Sequence, residues 1–215
     1  MGKLAIFDLD GTLIDSLPDI EYYVNQTLEK FGYKKRSYSD VRKFIGNGAR
    51  NLVKDCIGEE ISSELLDERL AYYNRVYTSS GSPRTKVYDG VKELLYTLKG
   101  KGFKIAVLTN KPQETTDNVM QNYFGDVEFD MVVGYAEGRK RKPDKTETLN
   151  IISKLNSTIE ETYFIGDGET DCLTAKNAGV KSISVLWGYR DKEFLQSFGA
   201  KVFACSPNDL LDLIK

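Results

Sequence analysis

Two aspartates stand two positions apart in Asp8-Leu9-Asp10-Gly11-Thr12, directly after an apolar run. Like charges held this close cost free energy unless a proton or a cation compensates them. If Lys3–Phe7 is a strand, both carboxylates leave its carboxyl end, where open α/β sheets bind ligands. Gly11 then lets the chain turn sharply away. The plainer alternative is an Asx-turn closing a strand. A second acidic group follows a later apolar run, in Ile165-Gly166-Asp167-Gly168-Glu169-Thr170-Asp171. Asp171 falls about one helical turn beyond Asp167, on the same face; here the plainer alternative is a glycine turn with an N-capping acid. Together the segments offer hard oxygen ligands and no soft ones, a set that suits Mg²⁺ better than zinc or copper. A calcium loop is disfavoured, because the first segment lacks later ligands and places its glycine too early.

Two further polar points follow apolar runs. Thr109-Asn110 offers a hydroxyl, an amide and nearby backbone N–H groups, and Lys142-Pro143 offers a fixed cation. Taken singly, Thr-Asn reads equally as a helix cap, and Arg139-Lys140-Arg141-Lys142 as a solvated turn. Taken together they place metal ligands, hydroxyl donors and an ammonium at one edge of one sheet, a cradle for a phosphoryl group. The chain contains no histidine. That excludes Ser-His-Asp and Cys-His catalysis, imidazole acid–base pairs and His-ligated metals.

The elements that must position these groups alternate from about residue 84 onward. Candidate strands are Lys3–Phe7, Lys104–Thr109, Asp130–Gly134, Thr162–Ile165, Lys181–Leu186 and Lys201–Cys205, each nearly continuous in apolar or β-branched residues, as strands covered on both faces are. Amphipathic stretches lie between them. Asp89 is a candidate N-cap, Pro112 suits a first helical turn, Asp144 and Glu147 resemble a capping box, and Ser206-Pro207 opens a last helix. This rhythm predicts a doubly wound parallel sheet. Residues 15–82 break it with two helical stripes, Ile20 to Phe31 and Leu66 to Tyr77, and no convincing strand between them. The expected division is a Rossmann-like core of residues 1–14 and 83–215 with an all-helical insert over 15–82, whose exit at Ser79–Pro83 has hinge-like composition.

The 215 residues carry 30 basic and 32 acidic side chains, a balance that disfavours a nucleic-acid binder. No signal peptide or membrane span is visible, so a cytoplasmic protein with no membrane partner is expected. Cys56, Cys172 and Cys205 are too scattered for a zinc knuckle or disulfide framework.

The order Asp8-Leu9-Asp10-Gly11-Thr12, Thr109-Asn110, Lys142-Pro143, Gly166-Asp167-Gly168-Glu169-Thr170-Asp171 resembles the haloacid dehalogenase-like superfamily, in its phosphoglycolate phosphatase-like group with a helical cap after the first strand. Asp171 to Ala175, Ala178-Gly179 and Leu186-Trp187-Gly188-Tyr189-Arg190 follow that group too, so the similarity covers nearly the whole chain. The resemblance implies a Mg²⁺-dependent phosphatase acting on a small phosphorylated metabolite, as a monomer or homodimer. Asp8 would be the nucleophile and Asp10 the acid and base. Thr109 and the backbone near Asn110 would hold the transferring oxygens, and Lys142 would neutralise them. Asp8, the backbone carbonyl of Asp10 and Asp167 would bind the metal, with Asp171 as ligand or support. Gly168 stands where the group often has Ser or Thr, and Lys145 replaces a frequent proline.

In the cap, Phe44-Ile45-Gly46-Asn47-Gly48-Ala49-Arg50 places two glycines before a helix. N–H groups at Gly46, Asn47 and Gly48 with the Arg50 cation would meet an anionic group of the substrate, unless the segment is simply a turn between helices. The lack of a cap histidine makes a sugar-phosphate mutase less attractive than a hydrolase. A phosphoglycolate phosphatase is the leading reading, against a pyrophosphatase, 5′-nucleotidase or sugar-phosphate phosphatase. The non-enzyme alternative is a phospho-acceptor signalling module, since receiver domains also set acidic groups, a Thr or Ser and a Lys-Pro at the ends of parallel strands.

Overall fold

The computed structural model describes residues 2–215. Six strands make one parallel sheet: β1 (Leu4–Phe7), β4 (Lys104–Pro112), β5 (Met131–Tyr135), β6 (Thr162–Gly166), β7 (Lys181–Val185) and β8 (Phe203–Ala204). Their order is β5-β4-β1-β6-β7-β8, with Phe7 in register with both Val107 and Ile165. The chain thus winds outward from β1 to one side and then to the other, and the two neighbours of β1 end level with it.

Period-two alternation divides the core. Ala5, Phe7, Ile105, Val107, Tyr163 and Ile165 face one side, against α5 (Val91–Gly100), α6 (Gln113–Phe124) and α10 (Pro207–Leu213). Leu4, Ile6, Ala106, Leu108 and Phe164 face the other, against α7 (Thr146–Lys154) and α8 (Glu169–Ala178). Burial on both faces explains why these strands read as unbroken apolar runs. A short helix, α9 (Lys192–Ser197), precedes β8.

Between β1 and α5 lie α1 (Leu17–Lys30), α2 (Tyr38–Phe44), α3 (Ala49–Ile57) and α4 (Ser63–Thr78). Leu17, Val24, Leu28, Val41, Val53, Cys56 and Tyr77 from these helices share a separate apolar cluster, which Tyr189 also joins. Entry and exit of the helical layer are tied by an antiparallel ribbon, β2 (Ile14–Asp15) with β3 (Lys86–Val87). Two-residue strands carry no periodicity, so this ribbon escapes a pattern-based reading. The Ser79–Pro83 exit is anchored: buried Asp19 accepts from the Arg84 N–H at 2.9 Å and the Thr85 hydroxyl at 2.8 Å.

Several boundaries differ from expectation. β4 runs on to Pro112, because its end pairs with Tyr135 after a register shift; Pro112 therefore precedes α6 rather than entering it. Gly90, at φ +81°, replaces Asp89 as the N-cap of α5, a left-handed conformation glycine adopts without strain. Asp144 and Glu147 form no capping box; Asp144 accepts from the Thr146 N–H at 2.8 Å and Lys145 is the N-cap. The last helix opens as read, at Ser206-Pro207, with the Asp209 carboxylate accepting from the Ser206 N–H at 3.1 Å and the Ser206 hydroxyl at 2.8 Å. Cys56 and Cys172 are buried and Cys205 is exposed, all as free thiols. Among the described residues no helix is long and apolar enough to cross a membrane.

Candidate active site

Strand register does most of the assembly. Phe7, Val107 and Ile165 are level, so the residues just beyond them emerge together at the carboxyl edge of the sheet. Asp8, Asp10, Thr109, Asn110, Lys142, Asp167 and Asp171 line one cavity there. Its roof comes from the helical layer, with Ile20, Ile45, Gly46, Gly48, Ala49, Leu52, Tyr73 and Tyr77. The Tyr73 and Tyr77 rings stack there at 5.6 Å.

Carboxylate oxygens of Asp8, Asp167 and Asp171 lie within 4.8 Å of one another, all buried. Burial, then Asp171, pushes the Asp8 carboxyl up to about 7. Burial, then Asp171 and Asp8, pushes Asp167 up to about 8. The cluster therefore holds more negative charge than the protein compensates, and its donors are all hard oxygens. Both properties fit a hard divalent cation. Glycines make the close approach possible: a Cβ on Gly11 or Gly188 would fall 2.3 Å from an Asp167 atom, and one on Gly166 2.3 Å from the Asp171 carboxylate. Asp167 is further fixed by the Tyr189 N–H at 2.7 Å and the Thr12 hydroxyl at 3.3 Å.

Lys142 is the buried counter-cation, 2.8 Å from Asp8 and 2.6 Å from Asp171. These two carboxylates raise its pKa against the opposing effect of burial. Lys140 is exposed. Asp171 also accepts from the Gly168 N–H at 2.9 Å, so it braces the start of α8 as well as Lys142.

The other sequence-derived positions divide. The Asp10 side chain turns away from the acid cluster, accepting from the Ser16 hydroxyl at 2.5 Å and from Lys111 at 2.9 Å. The Asn110 side chain is a strut rather than a free donor: it gives to the Gly46 carbonyl at 2.9 Å and accepts from the Lys142 N–H at 2.9 Å. Gly46 and Gly48 border the cavity, but Asn47 and Arg50 do not. Asn47 is exposed, and α3 turns Arg50 toward α4, where it pairs with Asp67.

Sequence reasoning missed Lys111 and Ser16, and noticed Thr12, Tyr189 and Arg190 only within longer runs. Lys111 directly follows Thr109-Asn110, and that adjacency was the available signal. The Tyr189 hydroxyl accepts from the Ser16 and Leu17 N–H groups at 2.9 and 3.1 Å, holding the start of α1. Two arginines make a mutual exchange across the cavity mouth. Arg42 donates to the Tyr189 carbonyl at 2.7 Å, while Arg190 donates to the carbonyls of Arg42 and Ile45 at 2.6 and 2.8 Å and pairs with Glu169 at 3.1 Å.

Comparison with known proteins agrees with this geometry. A family model described as haloacid dehalogenase-like hydrolase matches residues 5–185. A phosphoglycolate phosphatase of Vibrio parahaemolyticus is 32% identical over 218 residues, covering 99% of this chain and 96% of the relative. One of Aquifex aeolicus is 32% identical over 87% of this chain and 86% of its own. The crystal structure of a predicted phosphatase from Clostridium acetobutylicum superposes with a TM-score of 0.89 at 28% identity, covering 100% of this chain and 98% of that one.

Proposed function

Because the chain belongs to the haloacid dehalogenase-like hydrolase family and is a phosphatase, we propose that it hydrolyses a small phosphate monoester, phosphoglycolate above others, through a phosphorylated Asp8 with Mg²⁺ at the acid cluster. The observation that carries this reading is the Asp8–Lys142 pair, buried on the cavity floor beside Thr109 and two more carboxylates.

An Asp8 oxygen attacks phosphorus as the ester P–O bond breaks, and Asp10 gives its proton to the departing alkoxide. Water then attacks phosphorus of the aspartyl-phosphate and yields a proton to Asp10, which restores both carboxyl groups and frees inorganic phosphate. Lys142 neutralises the transferring group, and the Thr109 hydroxyl and backbone near Asn110 hold its oxygens. Asp8, Asp167, the Asp10 carbonyl and Asp171 would hold Mg²⁺, which when bound offsets the charge on the phosphoryl oxygens. Charge neutralisation and positioning are what phosphoryl transfer needs most. The apolar roof of Ile20, Ile45 and Leu52 excludes water from them.

Relatives named as phosphoglycolate phosphatases support a small ester. The acid end of the substrate would lie along Gly46–Ala49, where α3 begins with free N–H groups.

The test is a panel of phosphoglycolate, pyrophosphate, sugar phosphates and nucleoside monophosphates, with and without Mg²⁺. Phosphoglycolate should give the highest kcat/KM, with turnover lost in chelator. Asp8→Asn should abolish turnover on every ester; persistent turnover would refute the nucleophile assignment.

A further inference from the structure

We propose that Lys111 is a positioning residue for Asp10, and that Tyr77 of α4 holds Lys111 in place. The extension of β4 to Pro112 carries Lys111 into the cavity wall, where its side chain is only 3% exposed. Its ammonium lies 2.9 Å from Asp10 Oδ1 and 2.8 Å from the Tyr77 hydroxyl, over whose ring it sits at 4.7 Å. Burying an ammonium is unfavourable unless its partners are well placed. Among the described residues the only carboxylate paired with it is that of Asp10. The phosphoryl side of the cavity already has its own cation in Lys142, engaged with Asp8 and Asp171.

Asp10 is gripped asymmetrically. Oδ1 accepts from both Ser16 and Lys111, whereas Oδ2 has no hydrogen-bond partner among the described residues, although Asp10 lines the cavity. Two donors on one oxygen fix the plane of the carboxyl group and leave the other oxygen to exchange a proton with the leaving group. Since Tyr77 belongs to the helical layer, docking of that layer sets the aim of the acid through Lys111.

The inference rests on the reading of Asp10 as acid and base, and its test separates the two. Proton donation matters for a poor leaving group and little for a good one. In Lys111→Met, which keeps the length of the stem, kcat/KM on phosphoglycolate and on glycerol phosphate should fall about 10- to 100-fold, within the range general acids supply. With p-nitrophenyl phosphate the fall in kcat/KM should be under about threefold, because that ratio reports only the steps through phosphorylation of Asp8 and not the hydrolysis common to all esters. Tyr77→Phe, which removes only a hydroxyl, should show the same selectivity to a smaller degree, and it decides the matter if Lys111→Met does not fold. Equal loss of kcat/KM on alkyl and aryl esters would overturn the proposal. So would a KM rise confined to phosphoglycolate, which would make Lys111 an anchor for the substrate carboxylate. Asp10→Asn is the control. If it lacks the leaving-group selectivity, the acid assignment fails; if it has it and Lys111→Met does not, the positioning role alone fails.

Discussion

Protons and Mg²⁺ should compete for the acid cluster over a pH range fixed by its burial. With ordinary values near 3.8 in the unfolded chain, Asp8 and Asp167 are raised to about 7 and about 8 in the metal-free fold. A raised carboxyl keeps its proton in the fold while the unfolded chain loses it. Stability of the metal-free protein is therefore full below pH 4 as far as these groups go, and it falls as pH rises toward 8. A divalent ion binds the deprotonated cluster and must displace whatever protons remain. Because both groups are raised, Mg²⁺ should bind more than about tenfold more weakly at pH 6 than at pH 8. Titration calorimetry of the intact protein with Mg²⁺, in two buffers of unequal ionisation enthalpy, measures both affinity and proton release. The expected release is between one and two protons at pH 6.5 and fewer at pH 8.5. Affinity that changes less than about tenfold between pH 6 and 8, with no proton released, would refute the argument.

Two substitutions probe the scaffold. Gly188→Ala would place a Cβ 2.4 Å from the Gly11 carbonyl and 2.3 Å from the Asp167 Cβ; with backbone on one side and the buried Asp167 on the other, Mg²⁺-induced thermal stabilisation should be largely lost if Asp167 holds the ion as proposed. Phe164→Ala opens a hole in a fully buried position beneath Lys142, and should cost about 3–5 kcal/mol in urea unfolding.

The sheet and the acid cluster were legible because both rest on strong local signals. Apolar runs ending in Asp8, Thr109 and Asp167 give strand, end and chemistry at once, and parallel register does the rest. What stayed hidden depends on contacts between distant segments. Arg50 and Asp67, or Arg190 and the Ile45 carbonyl, meet only after α2, α3 and α4 have packed. Lys111 drew no reading because the strand was expected to stop at Thr109; pairing of Pro112 with Tyr135 extends the strand and carries Lys111 into a buried position. Asn110 offered the right chemistry as a phosphate donor, but its amide spans Gly46 and Lys142 instead.

The exchange between Arg42 and Arg190 makes roof and floor mechanically reciprocal. Each guanidinium is seated on carbonyls of the segment that carries the other, and Tyr189, between Gly188 and Arg190, presents its N–H to Asp167. Lifting α2 would therefore break both sets of contacts at once, leaving Arg190 with its pairing to Glu169.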